Sequence, residues 1–201
     1  MRLLFCGLVV IGLGACQQNP SVSVNGERLI GKYVGNDVAT FLGVPFAEPP
    51  VGELRWRAPQ PLQSKVSRRD TTEFAAACMQ TMRILDWYRY MAETFGASAD
   101  YYDDLEISED CLYLNLWTPT LETDAKLPVM VWIHGGGNVR GHAGAAMYDG
   151  AQLAGSQRIV LVSFNYRLGP LGWFAHPSIR DSASNALEAS GNFGRLGSAL
   201  L

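Results

Sequence analysis

The four residues His134-Gly135-Gly136-Gly137 follow directly on an apolar run, Pro128 to Ile133 (PVMVWI). Such a run fits a strand buried on both faces. Adjacent glycines at the C-terminal end of a strand let the backbone bend until consecutive N–H groups point into one space. Acyl transfer needs a space of that kind. Its tetrahedral intermediate puts negative charge on the former carbonyl oxygen, and preorganised N–H donors hold that charge, each worth about 3 to 4 kcal/mol of barrier. Taken alone, the four residues also fit a plain flexible glycine turn.

The other reactive residue types are less telling. No serine stands in a G-x-S-x-G frame: Ser156, Ser163, Ser190 and Ser198 all lack the flanking glycines. Glu109-Asp110 is a carboxylate pair by type, but sequential neighbours do not face one another. Asp103, Asp104 and Glu106 read as a solvated acidic face, with a calcium site as the weaker alternative. His142 and His176 have no recognisable partner and read as surface or loop residues. None of the four cysteines belongs to a CxxC pair with a histidine nearby, which argues against zinc. No cofactor is implied.

The elements that would position the glycines form an α/β pattern. Ser21 to Gly43 is rich in Val, Ile, Tyr and Thr and is broken at Asn25-Gly26 and Gly35-Asn36, which predicts a small antiparallel meander. Pro45 to Pro61 carries five prolines and must be extended loop. Helical spacing appears in places between Ala75 and Phe95, at Met82, Leu85, Trp87, Tyr88 and Met91. Leu112 to Thr118 alternates as a strand should, and Ile159 to Phe164 (IVLVSF) is a second run suited to a buried parallel strand. Tyr148 to Gly155 supplies a crossover helix or turn between the two runs. This order is the opening half of an α/β sheet.

Bulk properties agree with a globular protein. The chain has 201 residues, 48% hydrophobic and 17% charged, with a net charge of −3. Its longest basic run is Arg68-Arg69, so nucleic acid is not expected as a partner. Residues 1–15 differ from the rest. Arg2 precedes an eleven-residue apolar run, Leu3 to Leu13, too short for a membrane span and right for a signal peptide. Leu13-Gly14-Ala15-Cys16 resembles a bacterial lipobox, in which the cysteine carries lipid and anchors the protein to a membrane. A plain secretory signal with Ala15 as the cleavage residue is the alternative. Either one exports the protein, to the cell envelope, the periplasm or the medium. Residues 16–21 then form a tether, and Cys78 and Cys111 remain in a disulfide-permissive compartment.

Five blocks carry a family resemblance. Gly43-Val44-Pro45-Phe46-Ala47, with Pro49-Pro50 and Leu54-Arg55-Trp56, resembles a segment of type-B carboxylesterases and cholinesterases. Ser108 to Asn115 (SEDCLYLN) matches a signature of that family letter for letter. Pro128 to Gly137, Val162 to Arg167 and Gly191 to Gly194 follow in the family's order. The resemblance covers about residues 21 to 194. It implies an α/β-hydrolase fold, here an incomplete one made of the N-terminal β-meander and the first core strands of the central mixed sheet. It also implies hydrolysis of a small-molecule carboxylic ester by a Ser–Glu/Asp–His triad. By the same resemblance Gly136 and Gly137 are oxyanion donors, while His134 and Gly135 shape the loop. Cys78 and Cys111 close an aromatic loop as a disulfide, and Arg55 pairs with Glu109.

The chain departs from the family at its end. The family continues from this point to an aspartate that pairs with the arginine of the Val162 to Arg167 block. Gly197 stands at that aspartate's position, and residues 195–201 look unlike the family, as a frameshift or early stop would leave them. The expectation is therefore a chain truncated before its nucleophile elbow, without the triad and inactive alone, its family domain running from residue 22 to 201. The competing expectation is a cholinesterase-like binding or adhesion module without catalysis, as neuroligin-like relatives show. A structural envelope lipoprotein is a third reading, and the five ordered blocks argue against it.

Overall fold

The computed structural model describes residues 18–197 apart from 36, 64, 65, 82, 97 and 99–104. Residues 1–15, expected as a signal peptide, and Cys16, Met82, Tyr101, Tyr102, Asp103, Asp104 and Ser198 lie outside the described residues. The chain runs through β1 (Ser21–Val24), β2 (Glu27–Ile30), β3 (Lys32–Val34), β4 (Val38–Pro45), β5 (Arg68–Asp70) and β6 (Ala77–Cys78). It continues through α1 (Arg83–Thr94), β7 (Ile107–Ser108), β8 (Tyr113–Thr118), β9 (Val129–Ile133), α2 (Ala151–Gln157) and β10 (Val160–Phe164). Short helices α3 (Gly169–Gly172), α4 (Pro177–Asp181), α5 (Ala186–Ala189) and α6 (Phe193–Gly197) follow.

The turn at Asn25-Gly26 forms as its residues require. Both sit at positive φ, 51° and 83°, which a two-residue hairpin needs. The single meander expected over residues 21–43 is instead two hairpins in two sheets. β1 and β2 join β5 in a three-stranded sheet, while β3 and β4 enter a five-stranded sheet of order β3-β4-β8-β10-β9. The switch occurs at Gly31, where an added Cβ would lie 2.1 Å from the Thr40 carbonyl oxygen. The residues of β4 account for its central place, since Val38 to Leu42 are all buried and an edge strand would leave one flank wet.

β8 runs antiparallel to both β4 and β10, and β10 runs parallel to β9, from Val160 opposite Val129 to Phe164 opposite Ile133. Parallel neighbours need a crossover, and α2 supplies it. Ala154 of α2 is fully buried and packs into a cluster with Val38, Leu42, Trp117 and Leu161. Gly150, just before α2, lies where a Cβ would be 2.4 Å from a Leu161 methyl carbon, so the helix starts flush on the sheet.

Two expectations need correction here. β9 is not buried on both faces: Val129 to Ile133 are between 43 and 62% exposed, and β9 is the last strand of its sheet, with no described strand paired to its outer edge. The helix within residues 75–95 begins only at Arg83, and Ala77–Cys78 pairs in parallel with β7 instead. On α1, Leu85 and Tyr88 face the core, whereas Trp87, Tyr90 and the following Phe95 are exposed.

Candidate active site

β9 ends at Ile133 and the glycines turn the chain away from the sheet. Gly136 has φ 128° and Gly137 φ 62°, and Asn138 continues in the left-handed region at 61°. At Gly136 a Cβ would fall 1.9 Å from the Arg140 carbonyl oxygen, so only glycine fits there. Val139 N–H donates to the Gly136 carbonyl and closes the turn. The amides of Gly136 and Gly137 donate to no acceptor among the described residues. Two adjacent free N–H groups at the end of a strand are what a developing oxyanion requires.

Side chains hold this loop where no neighbouring strand can. His134 is buried, and its ring stacks on Tyr166 with centroids 4.3 Å apart. The Tyr166 hydroxyl donates to the His134 carbonyl at 2.7 Å. The imidazole contacts the Gly135 carbonyl through Nδ1 at 3.0 Å, which selects the tautomer protonated on Nδ1, and its buried Nε2 has no partner among the described residues. Burial holds the His134 pKa below its ordinary value, so the ring is neutral and packs rather than acting as a base. Further along, Ala143 is gripped from β10's end of the sheet. Asn165 Oδ1 accepts its N–H at 2.8 Å, and the Ser163 hydroxyl donates to its carbonyl at 3.2 Å. Asn115 donates to Ser163 and accepts from the Gly43 amide, tying the grip to the bulge in β4.

A cleft of about 420 Å³ opens beside the loop, lined by Ile133, Asn138, Phe164, Tyr166, Trp173 and Asn192 among others. Phe164, Tyr166 and Trp173 give it aromatic walls, Asn138, Asn192 and Arg195 add polar groups, and Ile133 and Asn138 bracket the glycines along the chain. Beneath lie the other residues singled out in the sequence. Arg55 donates to both carboxylate oxygens of Glu109, at 2.7 and 2.6 Å. Cys78 and Cys111 are joined as a disulfide within a buried cluster that includes Leu112, Phe164 and Tyr166. Arg167 is buried and lies 5.5 Å over the Phe193 ring. It donates through Nη2 to the carbonyls of Arg57 and Phe193, while Nε and Nη1 find no acceptor. No carboxylate among the described residues pairs with it, and burial lowers its pKa to about 10.

A model of the carboxylesterase family matches residues 18–197. The chain belongs to the carboxylesterase family. Among relatives of this carboxylesterase-family chain, it is 38% identical to the fumonisin B1 esterase of Sphingopyxis macrogoltabida over 190 residues, 94% of this chain and 32% of that protein. It is 44% identical to the liver carboxylesterase of Sus scrofa over 162 residues, 78% of this chain and 28% of that protein. A solved thermophilic PNB esterase superposes with a TM-score of 0.74 at 32% identity, covering 91% of this chain and 34% of that one. The five-stranded sheet with its crossover helix is thus part of an α/β-hydrolase fold, and the chain spans about a third of the length of the proteins it matches.

The expected Cys78–Cys111 disulfide and Arg55–Glu109 pair are both present. Cys16 lies outside the described residues. His142 lies in a loop, as read, but not at the surface: it is buried, edge-on to Tyr88 at 6.0 Å, and its Nε2 has no partner among the described residues. His176 is exposed and caps α4 by accepting the Ser178 amide. Gln80 has no sequence mark as a support, while Asn165 and Ser163 stand in the Val162 to Arg167 block without a stated role; the loop residues they hold, Gly141 and Ala143, are 20 or more positions away along the chain.

Proposed function

We propose that residues 18–197 are the oxyanion-binding part of a serine hydrolase acting on carboxylic esters. The observation that carries this is the pair of unpartnered amides at Gly136 and Gly137, held beside an aromatic cleft. When a serine oxygen adds to the ester carbonyl, the carbonyl oxygen takes the electron pair and the two N–H groups donate to it. On collapse the acyl–oxygen bond to the alcohol breaks and the charge leaves the hole. His134 shapes the loop and takes no proton. The small-molecule ester occupies the cleft, its apolar portion against Phe164, Tyr166 and Trp173.

The serine, the acid and the base of this chemistry are not supplied by the 201-residue chain. No G-x-S-x-G occurs in it, and Ser163, beside the loop, is fully buried with its hydroxyl engaged by Ala143 and Asn115. The chain alone is therefore inactive. Incubating it with p-nitrophenyl esters and a fluorophosphonate probe tests this. The expected result is no turnover above buffer and no labelled serine. Inhibitor-sensitive hydrolysis at an ordinary enzymatic rate overturns the reading.

Export belongs to the same proposal. The apolar run Leu3 to Leu13 and the Leu13-Gly14-Ala15-Cys16 match support a lipid anchor at Cys16 and a place in the cell envelope. Metabolic labelling with a radioactive fatty acid should mark the protein and fail on Cys16→Ser. Equal labelling of both removes the anchor.

A further inference from the structure

Gln80 stands in no motif, two residues beyond Cys78. Its side chain nevertheless makes three contacts. Oε1 accepts the Gly141 amide at 2.7 Å, while Nε2 donates to the Gly141 carbonyl at 2.9 Å and to the Cys78 carbonyl at 3.0 Å. One carboxamide that satisfies both backbone groups of a single residue replaces the ladder partner which a loop lacks.

Gly141 is packed against the start of the glycine loop. A Cβ on it would lie 2.4 Å from the Gly135 carbonyl oxygen and 2.6 Å from His134 Nδ1. One step inward, Gly136 is in contact with the Arg140 carbonyl. The two limbs of the loop touch without slack, so a displacement of Gly141 is passed to Gly135 and Gly136. On its other side Gln80 is tied to Cys78, whose disulfide to Cys111 roots it in the core.

We infer that Gln80 is a positioning residue for the oxyanion donors: its carboxamide sets Gly141, and through Gly141 the amides of Gly136 and Gly137, relative to the Cys78–Cys111 crosslink. The inference rests on the proposed role of those amides. It explains why the residue is an amide. The site asks for one acceptor facing an N–H and for donors facing two carbonyls. A carboxylate offers only acceptors, whereas a protonated carboxyl offers one of each.

That difference gives the test. Hydrogen exchange of the purified 201-residue chain is followed by mass spectrometry at about pH 5 and about pH 8, corrected for intrinsic rates, for the unaltered protein, Gln80→Glu and Gln80→Met. A carboxyl group facing two carbonyls has its pKa raised, so for the carboxyl introduced by Gln80→Glu the lower pH favours the protonated form and the higher pH the ionised one. Expected for Gln80→Glu is near-native protection of the hydrogen-bonded loop amides, Gly141 and the Val139 amide that donates to the Gly136 carbonyl, at the lower pH and exchange about tenfold faster at the higher, with Gln80→Met fast at both and β8 and β10 unaltered. Two results overturn the inference: native protection of these loop amides in both variants, or a loss spread evenly over β8 and β10 with no recovery of Gln80→Glu in acid. The exchange pattern is independent of ester turnover, so it fails or succeeds separately from the oxyanion assignment.

Discussion

Tyr166 lies flat against His134, ring planes 13° from parallel, while its hydroxyl donates to the carbonyl of the same residue. One side chain thus fixes both the ring and the backbone at the point where β9 gives way to the glycines. Tyr166→Phe keeps the stack and removes the hydrogen bond, leaving a buried carbonyl without its donor. The expected cost is about 1 to 2 kcal/mol. Urea unfolding should show a lower midpoint at an unchanged slope. An unchanged midpoint would mean that water replaces the hydroxyl freely.

The buried histidines set a pH dependence. His142 is held down to about 4, first by burial and then by the neighbouring His134. Its folded value lies below the ordinary 6.5, so the unfolded chain takes the proton first as the pH falls. Stability is therefore fully present above about pH 6.5 and is lost progressively down to about pH 4, by something on the order of 3 kcal/mol. His134 is shifted in the same direction by burial and adds to the slope. His142→Leu should flatten the curve of stability against pH between these limits, leaving the share due to His134. A slope as steep as the parent's would show that His142 titrates at the same pH in the folded and unfolded chain.

The Cys78–Cys111 crosslink spans 33 positions. On the chain-entropy model it contributes about 3 to 4 kcal/mol. Replacing both cysteines by serine should lower the unfolding free energy by that order. Peptide mapping of the unreduced protein should recover the two segments joined. Two free thiols in that map would contradict the pairing.

β9 presents Val129 to Ile133 on an open sheet edge with no charge among them. Unpaired, apolar edges of this kind template association. Val131→Lys should raise the concentration at which light scattering first detects aggregates, while shifting the unfolding free energy by no more than about 0.5 kcal/mol, as for other exposed positions. Equal aggregation of the two proteins would place the sticky surface elsewhere, for instance on the exposed Trp87, Tyr90 and Phe95.

Much of this architecture is legible in the residues. Asn25-Gly26 announces a turn because few other pairs accept two positive φ values. PVMVWI and IVLVSF announce parallel strands because only a sheet interior wants so unbroken a run. The same logic shows where legibility ends. An apolar run states what a strand would bury, and β9 remains exposed because covering it is a matter of other chain segments. β4 reads like any hairpin strand, yet it belongs to the main sheet because Gly31 lets the chain cross there. His142 carries no mark of burial in its neighbours, since Tyr88, 54 positions earlier, is what covers it. Gln80 is silent for the same reason, its partner Gly141 being 61 positions away.

In the proposed function the Gly136 and Gly137 amides stabilise charge in ester hydrolysis. The most direct measurement places residues 18–197 in the corresponding third of the thermophilic PNB esterase and compares kcat of that chimera with kcat of its Gly136→Ala form on a p-nitrophenyl ester. Alanine at Gly136 collides with the Arg140 carbonyl and swings the amides out of line. The chimera should be active, and its kcat should fall about 10²- to 10³-fold in the variant with KM nearly unchanged. A folded Gly136→Ala chimera with the full kcat would contradict it.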